Sequence, residues 1–206
     1  MLLGVGGCAW FQSEVETEPA DVLLQQGNDA YKDQDYKDAL KNFEKLRDWY
    51  PFSKYIVLAE LRIADSHYYL ESYEEAIFAY EQFIELHPRN EAVPYVIYQI
   101  GRCYFDRMDT IDRDQTNVRK ALEQFQRLQE QYPDTTYAEK ATDHINACLK
   151  SLVRNEFYIG MFYYKSKHYR AALHRFKAVV AEYPDVGVHR KALMYIALCE
   201  EKLAQQ

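Results

Sequence analysis

Residues 27–51 read GNDAYKDQDYKDALKNFEKLRDWYP, and the order of residue types in this stretch decides the fold. A small residue, Gly27, is followed by Tyr31 and Tyr36, then Ala39, Phe43 and finally Pro51. The register returns at Ala64, Tyr68, Tyr73, Ala76, Tyr80 and Pro88, and again at Gly160, Tyr164, Tyr169, Ala172, Phe176 and Pro184. A further copy keeps Gly101, Tyr104, Ala121, Phe125 and Pro133, but Gly101 lies 20 residues before its alanine where Gly27 lies 12 before Ala39. Recurrence at so short a period means stacked supersecondary units, and such a stack usually binds rather than catalyses.

Each unit reads as two antiparallel helices, A and B. In the first, 21–33 form A, Asp33-Gln34-Asp35 turn the chain, and 36–49 form B. Tyr50-Pro51 ends it, because proline disfavours helix for the residue before it and donates no hydrogen bond. Counting from each proline, Ala59, Val96, Ala141 and Ala192 lie eight residues on. Ile63, Ile100, Ile145 and Ile196 lie twelve on, and Ser66, Cys103, Cys148 and Cys199 fifteen. Steps of 4 and 3 mark one helical face, so the A helices bury a common stripe. The three cysteines then occupy equivalent places on helices whose axes lie ~8–10 Å apart. A disulfide needs Cα atoms within ~7 Å, so they read as small buried hydrophobes.

Two insertions break the period. Asp106 to Thr116 carries six charged residues and no large apolar face, and reads as a solvated loop. Residues 135–166 contain neither proline nor glycine before Gly160, and are expected to form one long helix, or two nearly continuous ones, of about 48 Å. The chain of 206 residues is thereby divided into residues 21–134, an amino-terminal set of three hairpins, and 135–206, a carboxy-terminal set with a capping helix over 186–204. The expected class is all-α, a solenoid of four repeats plus that cap.

With 25 Lys and Arg against 32 Asp and Glu, the net charge of −7 opposes a nucleic-acid partner, whose binding is driven by basic side chains releasing counterions. No stretch approaches the ~20 apolar residues that span a bilayer. The opening MLLGVGGC has, in Val5-Gly6-Gly7-Cys8, the apolar, small, small, Cys order of a bacterial lipoprotein cleavage site. Residues 1–7 therefore read as the remainder of a signal peptide, Cys8 as the lipidated residue, and 8–20 as a polar, acidic tether. Ala9 in place of an aspartate gives no signal for inner-membrane retention, so the expected location is the periplasmic face of the outer membrane.

Relative to Gly27, Ala64, Gly101 and Gly160, the residue four on is Tyr31, Tyr68, Phe105 or Tyr164, and the residue three back is Leu24, Leu61, Tyr98 or Phe157. Between them lie Asn28, Asp65, Arg102 and Met161. Two readings fit this stripe. It is a peptide groove, lined by Leu24, Tyr31, Leu61, Asp65, Tyr68, Tyr98, Arg102 and Phe105, in which rings supply area and polar residues set register. Alternatively, the rings simply pack between adjacent repeats. The six histidines fall into no HExxH or other metal-ligand spacing, and no phosphate loop or nucleophile elbow appears, so neither an enzyme nor a metal or cofactor is expected.

The small, Ala, aromatic and Pro positions of the unit resemble the tetratricopeptide repeat. Longer strings are more specific: Tyr50-Pro51-Phe52-x-x-Tyr55, Phe83-Ile84-x-Leu86-x-Pro88, Tyr95-Val96-x-Tyr98-x-x-Gly101, Asp112-Arg113-Asp114 and Tyr132-Pro133-Asp134. With the lipobox these are similar to the BamD family, the ComL-type lipoproteins of outer-membrane assembly. The resemblance implies a scaffold whose carboxy-terminal repeats dock on the POTRA domain of the barrel subunit BamA. It also implies amino-terminal repeats that receive the carboxy-terminal targeting signal of unfolded outer-membrane proteins, and neighbouring assembly-machine lipoproteins as further partners. Arg175 aligns with a family arginine implicated in the BamA contact; read alone, it is a solvated surface charge. The alternatives are another periplasmic repeat lipoprotein that coordinates cell-envelope or division proteins, and a repeat-built peptidoglycan enzyme.

Overall fold

The computed structural model describes residues 18–205. Among them the chain forms nine helices and no strand: α1 (Ala20–Lys32), α2 (Tyr36–Trp49), α3 (Ile56–Tyr69), α4 (Tyr73–Leu86), α5 (Val93–Phe105), α6 (Thr116–Gln131), α7 (Thr136–Lys165), α8 (Tyr169–Glu182) and α9 (His189–Ala204). Each helix packs on the next in chain order, which gives four tetratricopeptide hairpins and a closing helix. The B helices stop where proline forces them to. Tyr50, His87, Tyr132 and Tyr183 are the caps of α2, α4, α6 and α8, and each precedes a proline.

The hairpin turns share a second device. Gln34, Glu71 and Lys167 hold φ of 62°, 59° and 62°. In each case the next backbone N–H reaches back five residues: Asp35 to Ala30 O (2.9 Å), Ser72 to His67 O (3.0 Å) and His168 to Tyr163 O (2.9 Å). This left-handed cap satisfies carbonyls that the helix end would orphan.

Within a hairpin the small residue of helix A takes a ring from helix B. A Cβ built on Gly27, Gly101 or Gly160 would lie 2.7, 2.6 and 2.7 Å from Cε1 of Phe43, Phe125 and Phe176 respectively. These rings are wholly buried, as are Ala39, Ala121 and Ala172 beside them. Between hairpins the expected stripe is buried: Ala59, Val96, Ala141 and Ala192, and fifteen residues after each proline Ser66, Cys103, Cys148 and Cys199. Ile63 and Ile100 are buried, while Ile145 and Ile196 are half-buried. The three thiols are free.

Helix α7 is a single helix of 30 residues, about 45 Å long at 1.5 Å per residue. Its first part, through Ala141, Cys148 and Leu152, completes the core around Phe125. From Val153 onward it supplies helix A for the core around Phe176.

The segment between α5 and α6 departs from the expected solvated loop. Gln115 is 4% exposed, and its Nε2 donates to the carbonyls of Thr110 (3.0 Å) and Arg113 (3.1 Å), while its Oε1 accepts from Ser151 Oγ (3.0 Å). Asn155 Nδ2 donates to Ile111 O (2.7 Å), and Asn117 Nδ2 to Arg107 O (3.0 Å). Three amide side chains thus satisfy the loop carbonyls and dock the loop on α7. Asp109, Asp112, Arg113 and Asp114 face water, but Asp106 and Arg107 are bound by side chains of neighbouring helices, and the loop's backbone belongs to the fold.

Candidate peptide-binding surface

The A helices place the nominated residues along one face, at different depths. Asp65 is 1% exposed and Tyr98 8%. Leu24, Tyr31, Leu61, Tyr68, Arg102 and Phe105 are half-buried. Their rings touch both the partner helix of their own hairpin and the following repeat. Tyr31 meets Tyr36 and Tyr69 edge-on at 5.4 and 5.9 Å, while Tyr36 stacks on Tyr69 at 4.5 Å. Tyr98 lies against Phe125, Tyr137 and His144, and Phe105 against Phe125 and His144. The face is therefore built from inter-repeat packing, and all of its rings except Tyr98 keep part of their surface open.

Asp65 is the electrostatic centre of this face. One carboxylate oxygen accepts from Tyr80 Oη and Tyr95 Oη, both at 2.7 Å, and the other from Arg62 at 3.1 Å. Gln99 Nε2 donates to Tyr95 Oη at 3.1 Å. The Arg62 guanidinium lies 4.4 Å from the centre of the Tyr31 ring. Burial raises the Asp65 pKa, against the opposing pull of the two tyrosine hydroxyls and Arg62, and burial likewise raises Tyr80 and Tyr95. One carboxylate thus ties α3, α4 and α5 together and, through Arg62, reaches α1.

A second knot sits one repeat on. Tyr68 Oη donates to Asp106 Oδ2 at 2.6 Å, and Arg102 reaches Tyr68 Oη at 2.8 Å and Asp106 Oδ2 at 3.2 Å. Asp65 and Arg102, which the spacing marks as register-setting groove residues, are in the fold the fixed points that hold their aromatic neighbours. In the sequence Tyr80 reads only as a repeating ring position and Tyr95 only as part of a longer string, while Arg62 lies outside the repeat; nothing there announces that all three bind Asp65.

Arg175 on α8 is not a freely solvated charge. It donates to both carboxylate oxygens of Glu156 on α7, at 3.0 and 3.3 Å, and Glu156 is only 8% exposed. Cys8 and the tether up to residue 17 lie outside the described residues. Among the described residues no helix is long and apolar enough to cross a membrane, and no cluster of His, Cys, Asp and Glu is arranged to hold a metal ion.

A protein family described as "Outer membrane lipoprotein" (YfiO) matches residues 16–206. The chain belongs to that family. Among curated proteins, this YfiO-family chain is 30% identical over 193 residues to the outer membrane protein assembly factor BamD of Caulobacter vibrioides. That alignment covers 92% of the chain and 63% of the relative, so the chain spans less than two thirds of that protein's length. It is 29% identical over 182 residues to BamD of Rickettsia prowazekii, covering 88% and 72% of the two chains. Among solved structures, the TPR2AB domain of yeast Sti1 in complex with pHSP90 shares the fold, with a TM-score of 0.56 at 15% identity over 89% of this chain and 70% of that one.

Proposed function

We propose that this YfiO-family chain is a lipid-anchored, non-catalytic scaffold of the outer-membrane β-barrel assembly machine. The observation that carries the reading is the family match over residues 16–206, together with relatives named as outer membrane protein assembly factors. In this reading Cys8 bears the lipid and holds the solenoid at the periplasmic face of the outer membrane. The carboxy-terminal repeats dock on the POTRA domain of BamA, with Arg175 near the contact and other assembly-machine lipoproteins as neighbours. The face carrying Leu24, Tyr31, Leu61, Tyr68 and Phe105 receives the carboxy-terminal segment of unfolded outer-membrane proteins, while Asp65, Tyr98 and Arg102 fix its shape from below.

Affinity capture from detergent-solubilised envelopes tests the scaffold reading. Recovery of a POTRA-bearing barrel protein is expected, and its absence overturns the reading. For the groove, Tyr68→Ala with Phe105→Ala is expected to weaken photo-crosslinking to a carboxy-terminal barrel peptide several-fold at unchanged helicity. Crosslinking equal to the parent chain removes the groove. Cys8→Ser is expected to move the protein from the membrane fraction to the soluble periplasm.

A further inference from the structure

The groove register is filled by the protein's own side chains in the second and third repeats, where Asp65 and Tyr98 are buried, but it opens in the fourth. There Phe157 and Met161, the counterparts of Tyr98 and Arg102, floor a pocket of about 510 Å³. It lies between the carboxy-terminal half of α7 and the loop into α9, and that volume is within the range of small-ligand and side-chain pockets. Its rim holds three cations, Arg154 and Lys165 on α7 and Lys191 on α9, and no carboxylate lines it. All three cations are solvent-exposed, and none forms an ion pair or hydrogen bond with another described residue. The nearby loop carboxylate, Asp185, is solvent-exposed, does not line the pocket, and accepts from the Gly187 N–H at 2.8 Å. Tyr158 at the edge is 47% exposed.

What marks this site is the grouping of three such cations around one apolar floor, with no carboxylate in the lining, on a chain whose net charge is −7. Cations beside apolar walls attract an anion more strongly than the same cations in open water. One carboxylate would answer only one of them, so the fitting ligand carries several acidic groups around a bulky apolar side chain. We propose that this pocket docks an internal acidic segment of a protein partner, with an aromatic or large aliphatic side chain seated on Phe157 and Met161 and flanking carboxylates paired to Arg154, Lys165 and Lys191. The proposal deepens the scaffold reading by giving a chemistry to one partner site in the carboxy-terminal repeats.

The test is fluorescence anisotropy of the whole chain with a labelled, end-blocked Glu-Asp-Phe-Glu-Asp peptide, run beside a version with lysines for the acids and beside phosphatidylglycerol vesicles. Saturable binding is expected, weakening steeply with salt, at least tenfold weaker for Arg154→Glu with Lys191→Glu at unchanged helicity, and weak for the lysine peptide. The proposal is overturned by no saturable binding, by equal affinity in the double variant, by equal binding of the lysine peptide, or by vesicles that bind the chain where the peptide does not. Capture of a POTRA-bearing protein is scored separately. If the peptide binds and capture fails, the scaffold reading falls and the pocket stands; if capture succeeds and the peptide does not bind, the reverse holds.

Discussion

At the scale of single residues, the closest fit in the fold is glycine against phenylalanine. A methyl group at Gly101 would meet the Phe125 ring at 2.6 Å, and the ring is wholly buried with nowhere simple to go. Gly101→Ala is therefore expected to destabilise the chain by about 1–3 kcal/mol in urea unfolding, despite the better helix propensity of alanine. The positions were legible in the sequence, since Gly27 and Gly160 each lie 16 residues before their ring, and the insertion after α5 accounts for the 24 between Gly101 and Phe125. The second repeat uses Ala64 with Tyr80, whose hydroxyl continues to Asp65. That network was not legible, because its members come from three helices and only the assembled stack brings them together. It also has a pH signature. Burial raises the Asp65 pKa in the fold, with Arg62, Tyr80 and Tyr95 pulling the other way, so the folded chain takes up this proton more readily than the unfolded one. The site then adds stability as pH falls from neutral towards ~4, the ordinary carboxylate value, and adds no more below it. Asp65→Asn cannot take up that proton, so its cost in urea unfolding is expected to be larger at about pH 5 than at about pH 7.5. An equal cost at both would assign the proton elsewhere.

At the scale of elements, the prolines and the repeat register place the helix ends within about three residues: helix B of the first repeat is expected at 36–49 and runs Tyr36–Trp49, while the closing helix, expected at 186–204, runs His189–Ala204. Local chemistry decides these ends, which is why they can be read from one chain. The turn conformation is subtler, because Gln34, Glu71 and Lys167 occupy a left-handed position that usually holds glycine. A side chain there costs ~1–2 kcal/mol, and glycine returns part of that to unfolded-chain entropy. Gln34→Gly combined with Lys167→Gly is thus expected to raise stability by about 1 kcal/mol, additively, as the turns lie in different repeats; thermal and urea unfolding measure it. The segment before α6 is where reading by composition fails. Charge made it look solvated, yet Gln115 and Asn155 bind its carbonyls, and nothing in the order of residues announces which amides will find which backbone groups.

At the scale of the molecule, α7 is one rod shared by two cores, that around Phe125 and that around Phe176. Its continuity was foreshadowed by a stretch without proline or glycine, and its length makes it the mechanical link between the two sets of repeats. Stability in a stack is a sum of unit and neighbour terms, so the link decides whether the sets unfold together. Lys150→Pro, at an exposed position midway along α7, is expected to cost about 3 kcal/mol or more and to split one urea transition, followed by circular dichroism, into two. A single transition, merely shifted, would show that the halves are coupled by more than this helix.

The equivalent sulfurs give the stack one more property. Cys103 lies where α5 meets α4, Cys148 where α7 meets α6, and Cys199 where α9 meets α8, each fully enclosed. Burial pushes the first two thiols up to about 12 and raises the third, so none reacts while its seam is shut. The molecule consequently carries three natural gauges along its length: alkylation at each sulfur would time the parting of one particular seam, and show from which end a stretched or loaded solenoid begins to unzip.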